Sequence, residues 1–218
     1  MNPHRISVTE LAREIGRRGN LGRRHFSLLR GVEGIRVHQR MQKDRGEQYQ
    51  AEVPIQLSRE FNGECVEIFG RIDGLDTTVE GLVLEEFKTS RDFQESLPLD
   101  HGVHRLQAEL YTWMWYQKEG VLPRIRLEYV HPDPQEPTRR VEWRPDADEL
   151  NRRMETALQC WLKLCLERET WIKNRDTRLR TLKFPFPALR SGQPALMTGV
   201  QDAVKSGARL YVQAPTGI

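Results

Sequence analysis

Apolar residues recur at helical spacing near the start of the chain, where Val8, Leu11 and Ile15 fall on one face and predict a helix over residues 8–17. Ser7 precedes it with Glu10 three residues on, the spacing of a capping box. Gly19 and Gly22 bracket a turn, and a second helix over 31–43 carries Ile35, Val37, His38 and Met41 with a basic outer side. The period then changes to two. Ala51, Val53, Ile55 and Leu57 alternate with polar positions over 49–57, and Pro54 marks an edge strand. Strands over 64–72 and 81–89 follow, joined through Gly74-Leu75-Asp76-Thr77-Thr78, which completes an antiparallel meander. Helical spacing returns over 99–118 with Val103, Leu106, Leu110, Trp113 and Met114 facing inward. Strands over 124–131 and 139–144 flank a bend at Pro132, Pro134 and Pro137, and a long helix over 147–173 carries the stripe Leu150, Met154, Leu158, Trp161 and Cys165. A basic stretch at 173–183 and Phe184-Pro185-Phe186-Pro187 put a domain boundary near residue 180. Beyond it a helix over 193–206 and a strand over 208–213 are predicted. The order of elements is that of an α+β fold.

Composition narrows the function classes. The chain has 218 residues, 38% of them hydrophobic and 30% charged, and no apolar run approaches the roughly 18 residues of a membrane span. No apolar segment follows a basic start, so a cytoplasmic protein is expected, without membrane partners. Three cysteines without paired spacing give no disulfide framework. The net charge of +3 conceals an excess of arginine, 27 against 7 lysines, and an amino-terminal arm, residues 1–48, with eleven cationic and five acidic side chains. Such an arm suits a polyanionic partner.

The candidate chemistry lies in the meander. Asp73 ends Gly70-Arg71-Ile72-Asp73, and Glu86-Phe87-Lys88 begins thirteen residues later. Glu86 and Lys88 share one face of a strand, and a hairpin return sets the two carboxylates side by side. Converging carboxylates suit a hard divalent cation such as Mg²⁺, and a lysine beside them orients or deprotonates water and offsets charge on a phosphate. His38 on the preceding helix can complete the ligand shell, and Gln107 and Tyr111 share one face of the following helix at i and i+4.

This ordered set resembles the RecB-like branch of the PD-(D/E)XK nucleases over about residues 25–135. The resemblance is carried by Gly34-Ile35-Arg36-Val37-His38, Gly70-Arg71-Ile72-Asp73-Gly74, Glu86-Phe87-Lys88-Thr89 and Gln107-Ala108-Glu109-Leu110-Tyr111. It implies a restriction-endonuclease-like core, a central mixed β-sheet flanked by helices, with Mg²⁺ or Mn²⁺ as cofactor. It further implies that His38, Asp73, Glu86 and the Phe87 carbonyl bind metal, that Lys88 activates water, and that Gln107 and Tyr111 position DNA or the lysine. Arg23, Arg24, Arg36 and Arg40, with the basic stretch after residue 168, are expected to follow the phosphate backbone. Some members of the branch hold an iron–sulfur cluster through four cysteines. Here Cys65, Cys160 and Cys165 lack a fourth, and the helix turns Cys160 away from Cys165, so no cluster is expected and all three read as packing residues. Glu85 reads as a surface charge, and His104 as a surface or partly buried histidine.

The tail carries a second resemblance. Arg190-Ser191-Gly192-Gln193 and Ala214-Pro215-Thr216-Gly217 resemble the adenine-contact element and the start of the phosphate loop in superfamily 2 helicases of the DinG and XPD type. The sequence stops before a Gly-Lys-Thr, without which ATP hydrolysis is not expected. The expectation is a nuclease domain over 1–180 and the start of a helicase motor over 181–218. Together they would be the amino-terminal part of a DNA-repair nuclease-helicase acting on single-stranded or branched DNA. The competing reading keeps the fold without the chemistry, as a silent module that loads single strands into the helicase.

Overall fold

The computed structural model describes residues 3–16, 28–43, 45–77, 81–91, 102–183 and 186–213, side chains of 28–30 excepted. Its elements, in chain order, are β1 (His4–Ser7), α1 (Val8–Gly16), α2 (Leu28–Gln42), β2 (Tyr49–Phe61), β3 (Glu64–Asp76), β4 (Val83–Thr89), α3 (Gly102–Glu119), β5 (Arg124–Val130), β6 (Arg139–Trp143), α4 (Ala147–Thr181) and α5 (Gln193–Ser206). They fall into two compact units, Met1–Arg168 and Glu169–Ile218.

The first unit is built on a six-stranded mixed sheet in the order β1-β3-β4-β5-β6, with β2 paired to β3 alone. The β2–β3 hairpin is its longest piece. Asn62 and Gly63 close it with φ of 52° and 82°, the left-handed pair that a two-residue turn requires for its twist to match the strands. Tyr49 then stands opposite Asp76 and Phe61 opposite Glu64. Pro54 lies on this edge strand, where a missing N–H leaves no ladder incomplete. β2 pairs along one edge of β3 from end to end except at Asp73, so β1 and β4 share the other. β1 runs parallel beside Val66 to Phe69 and β4 antiparallel beside Gly74 to Asp76. Residues 70–73 therefore have no ladder partner on that edge among the described residues. β4 and β5 are parallel, and β6 returns antiparallel to β5.

The main core lies under α1, α3 and α4, where Leu11, Ile68, Leu84, Leu110, Trp113, Met154 and Leu158 are buried together. A smaller one joins Val37 of α2 to Phe87 and Val130. The capping box at α1 is formed: the Glu10 N–H donates to Ser7 Oγ at 3.2 Å, and Glu10 Oε2 accepts from Ser7 Oγ at 2.7 Å. α4 starts at Asp146, whose Oδ1 accepts the Glu149 N–H at 2.9 Å.

Several elements differ from the sequence reading. β1 was not legible, because four residues cannot establish a period. Gly74, Leu75 and Asp76 continue β3 instead of forming a turn, held by β2 on one side and β4 on the other. α4 runs eight residues past 173, to Thr181, through the basic stretch. Its last 13 residues contain no Gly or Pro to stop it. Residues 208–213 form no strand; Leu210, Tyr211 and Val212 are exposed, and no described strand lies beside them to complete a ladder. No helix among the described residues is long and apolar enough to cross a membrane.

Candidate metal and nuclease site

The site forms where β3 and β4 part. At the unpaired stretch 70–73, side chains replace the missing ladder. Asp73 Oδ2 accepts the Phe87 N–H at 2.8 Å, and Tyr111 Oη accepts the Arg71 N–H at 3.3 Å. Gly70 allows that approach, since a Cβ there would stand 2.7 Å from the Tyr111 ring. Continuing the β3–β4 register by one pair sets Asp73 against Glu86.

On β4, alternation sends Glu86 and Lys88 toward α3. Lys88 Nζ donates to Glu86 Oε1 at 2.6 Å and to Gln107 Oε1 at 3.0 Å, while Gln107 Nε2 donates to Glu86 Oε1 at 2.7 Å. The three side chains form a closed triangle. The second carboxylate oxygen of Glu86, Oε2, is buried without a hydrogen-bond partner among the described residues. From the α2 side, His38 Nδ1 lies 3.5 Å from Asp73 Oδ1, its ring edge-on to Phe87.

Electrostatics leave this cluster short of positive charge. Burial pushes the Asp73 carboxyl up to about 6 and that of Glu86 up to about 7; Lys88 opposes both shifts without cancelling them. Burial also lowers the pKa of His38, which keeps a neutral imidazole with a lone pair to donate. Tyr111 is raised by burial and by Glu86, so it stays a neutral phenol.

Glu52 is part of this site, and the sequence reading missed it. One ligand atom each of His38, Glu52 and Asp73 lie within 4.8 Å of one another. Glu52 stands opposite Asp73 in the hairpin register, and its φ of 54° is left-handed within a strand. Gln42 Nε2 holds it in place, donating to Glu52 Oε1 at 2.9 Å and to the Asp73 carbonyl at 2.8 Å; Arg71 pairs with Glu52 Oε2 at 2.6 Å. The signal was the Asn62-Gly63 dipeptide: a two-residue turn there fixes the pairing and puts Glu52 across from Asp73.

A divalent cation fits this donor set. The ligand atoms of His38, Glu52 and Asp73 converge, Glu86 lies near enough to act on Asp73 and His38, and the carboxylate charge is only partly matched by Lys88 and the exposed Arg71.

Other expected site residues fall elsewhere. Arg36 is exposed on α2. The Arg40 guanidinium donates to the carbonyls of Pro132 at 2.9 Å and His131 at 2.7 Å, fastening α2 to the end of β5. Arg190 and Gln193 meet through the Arg190 N–H and Gln193 Oε1 at 2.8 Å. Arg23, Arg24, Ala214, Pro215, Thr216 and Gly217 lie outside the described residues. Glu85 is no surface charge: it is fully buried, 2.5 Å from Arg126 and 3.2 Å from Arg45. Cys65 and Cys160 are exposed, against the expectation that they pack, and Cys165 packs against the core. His104 is partly buried, with Nδ1 3.2 Å from Tyr129 Oη.

The sequence matches the family model of the PD-(D/E)XK nuclease superfamily over residues 7–178. Among solved structures, SSO0001 is similar with a TM-score of 0.48 and 18% identity, over 73% of this chain and 77% of that one. A putative exonuclease from Eubacterium rectale is similar with a TM-score of 0.36 and 11% identity, over 87% of this chain and 66% of that one. No curated protein shows a significant match.

Proposed function

The chain belongs to the PD-(D/E)XK nuclease superfamily, and on that premise we propose that it hydrolyses phosphodiester bonds of DNA with Mg²⁺ or Mn²⁺ held by Asp73, Glu86, His38 and the Phe87 carbonyl. Glu52 joins this set, directly or through water. The observation that carries the reading is the cluster of His38, Glu52 and Asp73 ligand atoms within 4.8 Å of one another, with the Glu86, Lys88 and Gln107 triangle acting on it from β4 and α3. When bound, the cation supplies Lewis acidity to a phosphate oxygen and a water made acidic enough to attack near neutral pH.

The chain's own residues do the rest. Asp73 and Glu86 offer charged oxygens whose burial excludes competing water. Lys88 uses two of its three N–H donors on Glu86 and Gln107, which leaves one for a phosphate oxygen or the attacking water. Gln107 acts as a positioning residue: its amide fixes the ammonium and the carboxylate at once. Tyr111 stabilises the open segment of β3 from which Asp73 projects. An intact Asp73, Glu86 and Lys88 arrangement favours hydrolysis over a silent DNA-loading module, which has no use for an under-neutralised carboxylate pair.

The test is cleavage of labelled single-stranded and branched DNA with Mg²⁺ or Mn²⁺, by the intact chain and by Lys88→Ala. We expect cation-dependent cleavage that falls by about 10²–10³-fold in the variant. No cleavage by the intact chain, or equal cleavage by the variant, overturns the reading. We further propose a domain division at about residue 180, with 181–218 beginning a helicase motor and the whole serving DNA repair. Support comes from Arg190-Ser191-Gly192-Gln193, where Gly192 takes a φ of 88° and leads into α5 through Pro194. A coding sequence that continues into Gly-Lys-Thr would support this, and one that does not would remove it.

A further inference from the structure

We infer that the carboxy-terminal end of α4 is a docking surface for single-stranded nucleic acid, with Trp171 as the platform on which a base stacks. Trp171, Arg175 and Arg178 fall at i, i+4 and i+7 and so form one stripe about 10 Å long. Trp171 is 60% exposed, with the Arg175 guanidinium 5.0 Å over its ring. Leu179 near the end of the helix and Leu182 just past it are exposed as well. Large apolar side chains are thus left mostly in water here, with Arg175 over the Trp171 ring, the kind of exposed apolar surface that marks an interaction site. From 171 to 183 the chain has five cationic side chains, Lys173, Arg175, Arg178, Arg180 and Lys183, against one carboxylate, Asp176, and all are exposed.

Charge complementarity names a polyanion, and the exposed indole names its form. A single strand presents phosphates together with open base faces, whereas a duplex hides those faces inside its stack. An anionic membrane fits less well, because an interfacial helix separates an apolar from a basic face and here Lys173 and Arg180 lie opposite the Trp171 stripe. Besides the Trp171 ring, Arg175 is paired among the described residues with exposed Asp176, at 2.8 Å, a pair weak enough for a phosphate to displace. This surface is argued from its own residues and stands even if the Asp73 and Glu86 site proves inert.

The test uses the full chain with EDTA, so that cleavage plays no part, and the fluorescence anisotropy of a labelled 30-nucleotide oligothymidylate, read over a salt series. Trp171→Ala is expected to weaken binding about 5- to 150-fold, the range of one stacking contact, while Trp171→Phe retains most of the affinity. Arg175→Ala with Arg178→Ala is expected to flatten the salt dependence by about 1.4 in log–log slope. All these side chains are exposed, and unchanged circular dichroism would confirm that the variants fold. Binding unchanged in Trp171→Ala and in the double variant overturns the inference. So does equal weakening toward a duplex of the same length, or Trp171-dependent binding to phosphatidylserine vesicles without binding to the oligonucleotide.

Discussion

Glu85 and Glu86 are adjacent, both buried, and solve opposite problems. Glu85 faces away from α3 into a lattice in which Arg126 reaches Glu85 at 2.5 Å and Glu142 at 2.6 Å, Arg45 approaches Glu85, and Arg140 holds Glu128 at 2.9 Å. There, carboxylates and guanidiniums nearly balance, across the register Arg126 to Glu142 and Glu128 to Arg140. Glu86 faces α3 with one ammonium and one amide, beside a second carboxylate, Asp73; an oxygen without a hydrogen-bond partner among the described residues is common to both sides, at Glu86 Oε2 as at Glu85 Oε2 and Glu128 Oε2. Burial alone therefore does not distinguish structure from chemistry in this protein. The placing of the counter-charge does: the buried Arg126, with Arg45 and Arg140, serves the carboxylates around Glu85 and makes that the better matched side, whereas Lys88 alone is set into the Asp73 and Glu86 pair, Arg71 being exposed.

The largest effect should come from spoiling the matched side. Arg126→Ala leaves Glu85 buried beside Asp76 with Arg45 as its remaining cation among the described residues, and should cost about 3–5 kcal/mol of stability in urea denaturation. A loss under 1 kcal/mol would mean that the lattice is not what holds this face. On the unmatched side the next largest effect is on cation affinity. Glu52→Gln should weaken Mn²⁺ binding in calorimetry about 10- to 100-fold with little change in fold, and an unchanged affinity would remove Glu52 from the site.

Neutralising the unmatched side should stabilise it. Glu86→Gln keeps the shape and removes a charge that burial disfavours, so without divalent cation it should gain on the order of 1–2 kcal/mol at pH 8 while losing cleavage. A destabilised variant would show that the Lys88 pair outweighs desolvation. The pH dependence gives the smallest and most diagnostic signal. The folded-state pKa of Glu86 is raised, so its contribution is fully present below the ordinary carboxylate value of 4.5 and is lost as pH rises through about 7. The gap in Tm between Glu86→Gln and the intact chain should therefore open between about pH 4.5 and 7, and saturating Mn²⁺ should close it. A gap constant across that range would contradict the shift.

The two sides were unequally legible in the sequence. Asp73, Glu86 and Lys88 could be read because strand alternation and a short return loop fix their faces, and Gln107 because helical spacing does. Glu52 was hidden only because the Asn62-Gly63 turn went unused. The Glu85 lattice could not be read, since nothing local says that Arg126 and Glu142 will cover a neighbouring strand. A period of two assigns faces; it does not say which face is wet. The end of α4 and the failed strand at 208–213 mark the opposite limit: helices extend on local bonds alone, whereas a strand needs a neighbour that sequence cannot supply.

The divided edge of β3 also orders events in time. The β2–β3 ladder closes around a two-residue turn and can form from contiguous chain, whereas β1 must return across some sixty residues to reach Val66 and β4 arrives only after β3 is in place. Pulse-labelled hydrogen exchange should find the hairpin amides protected before those of β1 and β4; simultaneous protection would refute that order. His38, Asp73, Glu86 and Gln107 are drawn from 70 residues of chain and converge only beside that edge. A ribosome-bound or partly refolded molecule would then hold a finished hairpin and no assembled site, so the proposed hydrolysis would depend on β4 and α3 docking beside that edge.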